Sequence, residues 1–313
     1  MDQKASLNGL KLIFFGSGDF AAIVLQNFIN KGIKFSAVVT LPPRPKGRGR
    51  KLRDPELKGI SENAGIPVFQ PPNPNDEDFL NKLHSYEPDF IILTDYGKIL
   101  KKQLLDIPLN YPLNIHPSLL PEYRGAAPIE RAMMDCLQET GVTLMVMNEG
   151  LDTGPIVLQE RVKIGDTEIK TELMPRLAEV GVKLVLKALI PLKTGEIKPV
   201  PQRGEHSYAK KIQKEELWIE WKEEAQKIKC KINALSTRPG AKTKLGDILV
   251  KLIRAKVSTE KSPAPGKIII KGHKLLIGAK DYLVEILEIQ PQGKKIMSVE
   301  EFLRGYQRKL FTV

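Results

Sequence analysis

Leu12-Ile-Phe-Phe-Gly-Ser-Gly-Asp-Phe-Ala-Ala22 is the stretch on which the fold turns. Four apolar residues run into Gly16, and a segment of helical periodicity, Phe20–Lys31, follows and stops before Gly32. An apolar run of strand length that meets a glycine turn and then a helix opens a β-α-β unit. The alternation continues outward from there. Strands are expected at Phe35–Thr40, Pro67–Phe69, Phe90–Thr94, Leu113–His116, Val142–Met147 and Ile156–Val162. Helices are expected at Leu57–Ala64, Asp76–Tyr86, Pro128–Glu139 and Glu168–Leu192. Strands that are apolar throughout belong in a parallel sheet covered on both faces. The expected fold class is therefore α/β, with a Rossmann-like, mostly parallel sheet and helices on both faces. In such a sheet, chemistry is expected at the carboxyl ends of the strands.

After Thr194 the pattern changes. Gly195, Pro199, Pro201 and Gly204 lie among polar residues, which reads as a linker. Past a helical segment at Glu223–Leu235 come short strands at Ile248–Ala255, Gly266–Ile270, Lys274–Ile277 and Tyr282–Gln290, divided by turn signals such as Pro291-Gln292-Gly293. Strands of that length and spacing predict a small antiparallel β-barrel. Three parts are expected: 1–194, a linker at 195–207, and 208–313.

The charge follows the same division. The 313 residues carry 49 Lys+Arg and 37 Asp+Glu, a net of +12. Residues 1–207 hold 26 and 25 of these, and residues 208–313 hold 23 and 12. The last third thus carries nearly the whole excess, which points to a polyanionic partner. The first part has one local exception, the loop Leu41–Arg53, where Arg44-Pro-Lys-Gly-Arg-Gly-Arg-Lys-Leu-Arg53 has six positive charges and no negative one. No stretch approaches the ~20 apolar residues of a membrane span, and the N-terminal MDQKASLNGL lacks the apolar run of a signal peptide. Cys136 and Cys230 are far apart with no C-x-x-C, so neither a disulfide framework nor a cysteine zinc site is expected, and a reducing cytosol fits. Four scattered histidines form no H-E-x-x-H motif, and no metal is expected.

Gly16-Ser-Gly18-Asp-Phe-Ala21 satisfies the dinucleotide fingerprint G-x-G-x-x-A in the right strand-turn-helix context. The fingerprint also calls for a carboxylate about 20 residues on, to hold a ribose. The second strand instead ends Val38-Val39-Thr40-Leu41-Pro42. Arg44 keeps an NADP reading open, but a tight turn in which glycines avoid a clash is the preferred reading.

The segment with the most chemistry runs from Leu113 to Pro155 and reads LNIHPSLLPEYRGAAPIERAMMDCLQETGVTLMVMNEGLDTGP. Asn114 and His116 are two apart at a strand end, so they face one side together. Asn supplies a neutral donor for a developing oxyanion, and His a proton donor or acceptor near neutral pH. Asp152, between Gly150 and Gly154, can orient the imidazole or relay a proton. No Ser or Cys stands in an obvious nucleophile setting, which suggests direct transfer to a nucleophile that the substrate brings.

NIHPSLLPEYRGAAPI followed by GVTLMVMNEGLDTG resembles the folate-dependent formyltransferases. The similarity runs nearly end to end, through LIFFGSGDFAA, the RPKGRGRKL loop, YGKIL (Tyr96–Leu100), SYAKKI (Ser207–Ile212) and PQGKKIMS (Pro291–Ser298). The basic loop and the C-terminal domain point to the tRNA branch. The resemblance implies 10-formyltetrahydrofolate as donor, the α-amine of methionyl initiator tRNA as acceptor, a monomer, and a cytoplasmic place in translation initiation. It implies that the C-terminal domain is an OB-like antiparallel β-barrel that holds the tRNA, and that Asn114, His116 and Asp152 form a catalytic trio. It implies folate contacts at Tyr96, Gly97, Ser118, Leu119, Leu120 and Pro121, and tRNA contacts at Arg44, Lys46, Arg48, Arg50, Lys51 and Lys211. A formyltransferase for a small amine (a sugar nucleotide or glycinamide ribonucleotide) and a non-catalytic RNA-binding protein are the alternatives. Three departures stand out. The family usually reads G-T-P-x-F-A at 16–21. It tends to N-P-W-P-G where this chain has Ser236-Thr-Arg-Pro-Gly240. Asp95 before Tyr96 is also atypical.

Overall fold

The fold was read from a computed structural model that describes residue 7, residues 9–46 and residues 51–307. Strands β1 (Leu12–Phe15), β2 (Ala37–Val39), β5 (Val68–Phe69), β6 (Phe90–Leu93), β7 (Tyr111–His116), β9 (Glu139–Val146) and β10 (Ile156–Lys163) form one seven-stranded sheet in the order β10-β9-β7-β6-β1-β2-β5. The pairs from β5 through to β7 are parallel, and β9 runs antiparallel to β7. Every residue of β1 and β6 is buried, as apolar strands covered on both sides must be. Successive side chains leave on opposite faces. Phe14 packs edge-on against Phe28 of helix α1 (Asp19–Asn30) and against Phe35, while Phe15 packs edge-on against Tyr96.

Helices α2 (Glu56–Asn63) and α3 (Glu77–His84) fall where expected, and a short α4 (Lys102–Leu105) is additional. Helix α5 (Pro128–Met134) ends earlier than its sequence pattern suggests, at the reversal through Cys136, whose φ is 58°. The basic loop is not wholly irregular. Its two arms, β3 (Arg44–Lys46) and β4 (Lys51–Arg53), pair antiparallel with Arg44 opposite Arg53.

By contacts the chain divides into two compact units. The first comprises 1–126, 141–162 and 175–209, and the second 127–140, 163–174 and 210–313. Helix α6 (Lys170–Thr194) therefore begins in the second unit and continues in the first. The first unit also contains a short parallel pair, β8 (Arg124–Gly125) with β11 (Tyr208–Ala209).

The second unit contains helix α7 (Ala225–Leu235), helix α8 (Val299–Tyr306) and an antiparallel sheet. The sheet runs β12 (Ala241–Leu245), β13 (Ile248–Lys261), β16 (Tyr282–Pro291), β15 (Lys274–Gly278) and β14 (Ile268–Lys271), with β17 (Met297–Ser298) on β16. The inward residues of alternating strands, among them Leu245, Val250, Leu252, Ile277 and Val284, build one core with Ile228 and Ile232 of α7 and Phe302 of α8. The sequence-distant parts of this unit are tied together by ion pairs. Arg131 meets Glu216 at 2.6 Å, and the buried Lys229 ammonium meets Asp166 at 2.7 Å. Cys136 and Cys230 form a disulfide across 94 residues, with Cα atoms 5.5 Å apart. That corrects the expectation of no disulfide, because residues far apart in sequence are neighbours once α5 packs on α7.

Candidate functional site

The site lies where β7 ends. Asn114 and His116 occupy alternate positions of that strand, opposite Met145 and Thr143 of β9. Asp152 follows β9 in a turn where its own φ is 50°. All three side chains converge. Asn114 Nδ2 donates to Asp152 Oδ1 at 3.3 Å, and His116 Nδ1 faces Asp152 Oδ2 at 3.7 Å. Asn114 and His116 are buried, and Asp152 is nearly so.

Main-chain groups fix the arrangement. The Gly125 amide donates to Asp152 Oδ2 at 2.8 Å, and His116 Nε2 is 2.9 Å from the Tyr123 carbonyl. A carbonyl only accepts, so Nε2 carries a proton. Nδ1 is left facing the carboxylate. Asn114 has two amide hydrogens, and one remains after its bond to Asp152. The cluster can therefore offer a neutral donor, hold a proton and accept one, all within a few ångströms.

Part of the support comes from the segment expected to be only a linker. Gln202 Nε2 donates to the carbonyls of Asp152 and Gly154, both at 2.8 Å, while its Oε1 accepts from Arg124. Ser207 Oγ accepts from the Tyr123 amide at 2.9 Å. Ser207 opens the SYAKKI stretch of the family resemblance, whereas Gln202 carries no local motif and its only sign in the sequence is a polar side chain inside a Pro/Gly-rich stretch.

The other expected site residues fall as follows. Tyr96 follows β6, whose last residue Leu93 neighbours Asn114 in register. Its ring is buried and its hydroxyl has no hydrogen-bond partner among the described residues. Burial pushes that hydroxyl up to about 12, so it keeps its proton. Gly97 is exposed in the loop beyond. Ser118 and Leu120 are buried and internally bonded: Ser118 Oγ donates to the Glu122 carbonyl, and the Leu120 amide donates to Thr143 Oγ1. Leu119 and Pro121 are half-buried. Arg44 and Lys211 are exposed. Lys46 and Lys51 are placed by backbone only, on the hairpin, and Arg48 and Arg50 lie outside the described residues.

The glycine turn after β1 does not suit a diphosphate. The amides of Ser17 and Gly18, which would cradle one, donate to the Asp95 carbonyl at 3.1 and 3.2 Å. The Asp95 carboxylate stands where a Cβ on Gly18 would be, and its negative charge opposes a phosphate. Two departures from the family pattern thus explain each other: Asp95 fits because residue 18 has no side chain. Gly18→Ala is expected to cost about 1–3 kcal/mol through this clash. Most of that cost should vanish in an Asp95→Ala background. A double-mutant cycle by denaturant unfolding measures the coupling, and additive effects would contradict the pairing.

With that geometry in hand, the chain was compared with known proteins. The family described as formyl transferase matches residues 10–189, and the formyl transferase C-terminal domain matches residues 211–307. A methionyl-tRNA formyltransferase of Thermodesulfovibrio yellowstonii is 42% identical over 294 residues, covering 94% of this chain and 95% of that protein. One of Dictyoglomus turgidum is 39% identical over 306 residues, covering 95% and 97%. Among solved structures, HypX from Aquifex aeolicus in complex with tetrahydrofolic acid aligns with a TM-score of 0.67 at 20% identity, over 97% of this chain and 48% of that one. At that identity the likeness is one of fold.

Proposed function

Because the chain belongs to the formyl transferase family, we propose that it transfers a formyl group from 10-formyltetrahydrofolate to the α-amino group of methionyl initiator tRNA, in the cytoplasm, ahead of translation initiation. The convergence of Asn114, His116 and Asp152 in a chain whose relatives bear the methionyl-tRNA formyltransferase name over nearly full length carries this reading. The same two observations disfavour the small-amine and non-catalytic alternatives. In this reading, residues 1–194 perform the transfer, 195–207 connect, and 208–313 hold the tRNA.

The residues present fit a folate donor. Tyr96 offers a protonated hydroxyl with no partner among the described residues, and Leu119 and Pro121 offer apolar surface past His116. When bound, 10-formyltetrahydrofolate supplies the activated formyl carbon. The hydrogen left on Asn114 Nδ2 points its dipole at the formyl oxygen as negative charge grows there. Such a donor is worth ~2.7–4 kcal/mol. Asp152 Oδ2, beside Nδ1, takes up the proton that the attacking amine releases and returns it toward the departing nitrogen. Holding both substrates at one strand end supplies much of the remaining rate.

The test is a formyl-transfer assay with methionylated initiator tRNA and 10-formyltetrahydrofolate. Turnover of that tRNA is expected, with little or none of a free amino sugar. The basic hairpin is assigned to the acceptor end of the tRNA, through Arg44, Lys46, Arg48, Arg50 and Lys51, with Lys211 on the chain beyond. Arg44→Ala should therefore depress transfer to Met-tRNA by about tenfold while leaving hydrolysis of the folate donor near normal. Equal losses in the two reactions would assign the hairpin to folding instead.

A further inference from the structure

The second unit contains a group of cations that the reading above does not use. Lys242 of β12 lies directly opposite Lys251 of β13, and Lys251 is opposite Gln290 of β16. Strand alternation sends Ala241, Thr243, Leu245, Val250 and Leu252 inward, so Lys242, Lys244 and Lys251 share the outer face. Arg238 precedes β12, at the position where the family pattern tends to have tryptophan. Among the described residues, none of the side chains of Arg238, Lys242 and Lys251 has a carboxylate or other hydrogen-bond partner. Other lysines of this unit are matched: Lys229 has Asp166, and Lys256 and Lys274 share Glu285.

Lys251 is half-buried, and its stem lies against Gly240, where a Cβ would meet Lys251 Cγ at 3.2 Å. Burial pushes its ammonium down from the usual lysine range, and the charges of Lys242 and Arg238 push it the same way. Three cations gathered on a sheet face without a counter-charge raise the energy of the free protein. An anion bound among them relieves that repulsion. Beside them is an aromatic surface. Trp218 forms a parallel bridge with Lys242, the Ile219 amide donates to the Lys242 carbonyl at 2.9 Å, and the Trp218 side chain is 45% exposed. Phosphate-binding cations next to an open indole match one chemistry well: the sugar-phosphate backbone of RNA with a ribose or base lying on the ring.

We propose that Arg238, Lys242 and Lys251 form a seat for backbone phosphates of the tRNA, with Trp218 as the adjoining stacking surface. The proposal rests on the reading of this protein as an enzyme acting on tRNA.

The two kinds of contact have different signatures in salt. Each phosphate neutralised releases counterions, so losing one cation should flatten the plot of log affinity against log salt by about one unit. Stacking releases none. Binding of fluorescently labelled initiator tRNA is measured between about 50 and 200 mM salt for the full chain, for Arg238→Gln, for Lys242→Gln/Lys251→Gln, for Lys251→Arg and for Trp218→Ala. Thermal midpoints of all variants check folding, and Arg238, being exposed, provides a substitution that cannot disturb the core. The expected result is a slope shallower by about one for Arg238→Gln and about two for the double lysine variant, with Lys251→Arg retaining the wild-type slope. Trp218→Ala should weaken binding by about tenfold at an unchanged slope. A parallel titration with inorganic phosphate should compete no better than its ionic strength requires, and specific competition would make this a free-anion site and overturn the RNA assignment. Wild-type binding with unaltered affinity and slope in the cation variants overturns the seat alone. Absence of tRNA binding by the wild type overturns the seat together with the reading beneath it.

Discussion

His116→Ala is expected to lower single-turnover formyl transfer by about 100- to 1,000-fold, and Asp152→Asn by a similar factor, with tRNA affinity unchanged in both. His116 Nε2 is committed to the Tyr123 carbonyl, so only Nδ1 is left to exchange a proton with Asp152. Alanine at 116 removes that atom. Asparagine at 152 keeps the shape and the bond from Gly125 but cannot take up a proton. The two residues work as one device, so the double variant should be little worse than either single variant. Asn114→Ala removes a donor and its bond to Asp152 Oδ1 but leaves His116 Nδ1 facing Asp152 Oδ2, so its effect should multiply with the others rather than be absorbed. The check is quenched-flow formylation of methionylated initiator tRNA at saturating donor. Near-normal turnover in either His116→Ala or Asp152→Asn would remove the trio from the chemistry.

The second large effect concerns stability. Reduction of the Cys136–Cys230 bond is expected to lower the apparent midpoint of thermal unfolding by on the order of 5–10 °C. The bond closes 94 residues, and cross-linking a loop of that size restricts the unfolded chain by about 4.7 kcal/mol. Both cysteines belong to the second unit, in its 127–140 and 210–313 segments, so the bond joins pieces of one unit that are remote in sequence. Scanning calorimetry with and without dithiothreitol tests this. The wild type should shift on reduction, and Cys230→Ala should start lower and ignore the reductant. An identical response of the two proteins would show that the thiols are not bonded in solution. In a reducing compartment the pair stands as thiols, and the ion pairs of Arg131 with Glu216 and of Lys229 with Asp166 are left to hold the same pieces.

Features encoded within a few residues were legible before any coordinates. The apolar runs of β1 and β6 declared a buried parallel sheet. The spacing of Asn114 and His116 placed two functional side chains on one face, and Asp152 stood out by its flanking glycines. Features that arise when distant segments meet were not legible. Nothing near Gln202 tells that its amide will grip the carbonyls of Asp152 and Gly154, some fifty residues away. The disulfide was hidden for the same reason, as was the membership of α5 and the first turn of α6 in the second unit. Composition showed that the last third was basic, but only the register of β12 and β13 reveals which lysines stand side by side. The Arg44–Arg53 hairpin was read as a plain loop because Pro and Gly mask a strand pattern of three residues per arm.

The grip of residues 202–209 on the Asp152 turn also has a meaning in time. A ribosome makes the chain from the N-terminus, and a domain forms as its segments emerge. When residue 194 has been released, Asn114, His116 and Asp152 exist together with the Tyr123 carbonyl and the Gly125 amide that hold them, but the rest of their support does not. Gln202, the Ser207 hydroxyl and the short strand Tyr208–Ala209 arrive later. The support of the proposed trio is therefore complete only once the chain has passed residue 209, where the 210–313 segment of the second unit begins. A nascent chain cut short before Gln202 would carry the whole trio without the bonds that brace the Asp152 turn from the connecting segment.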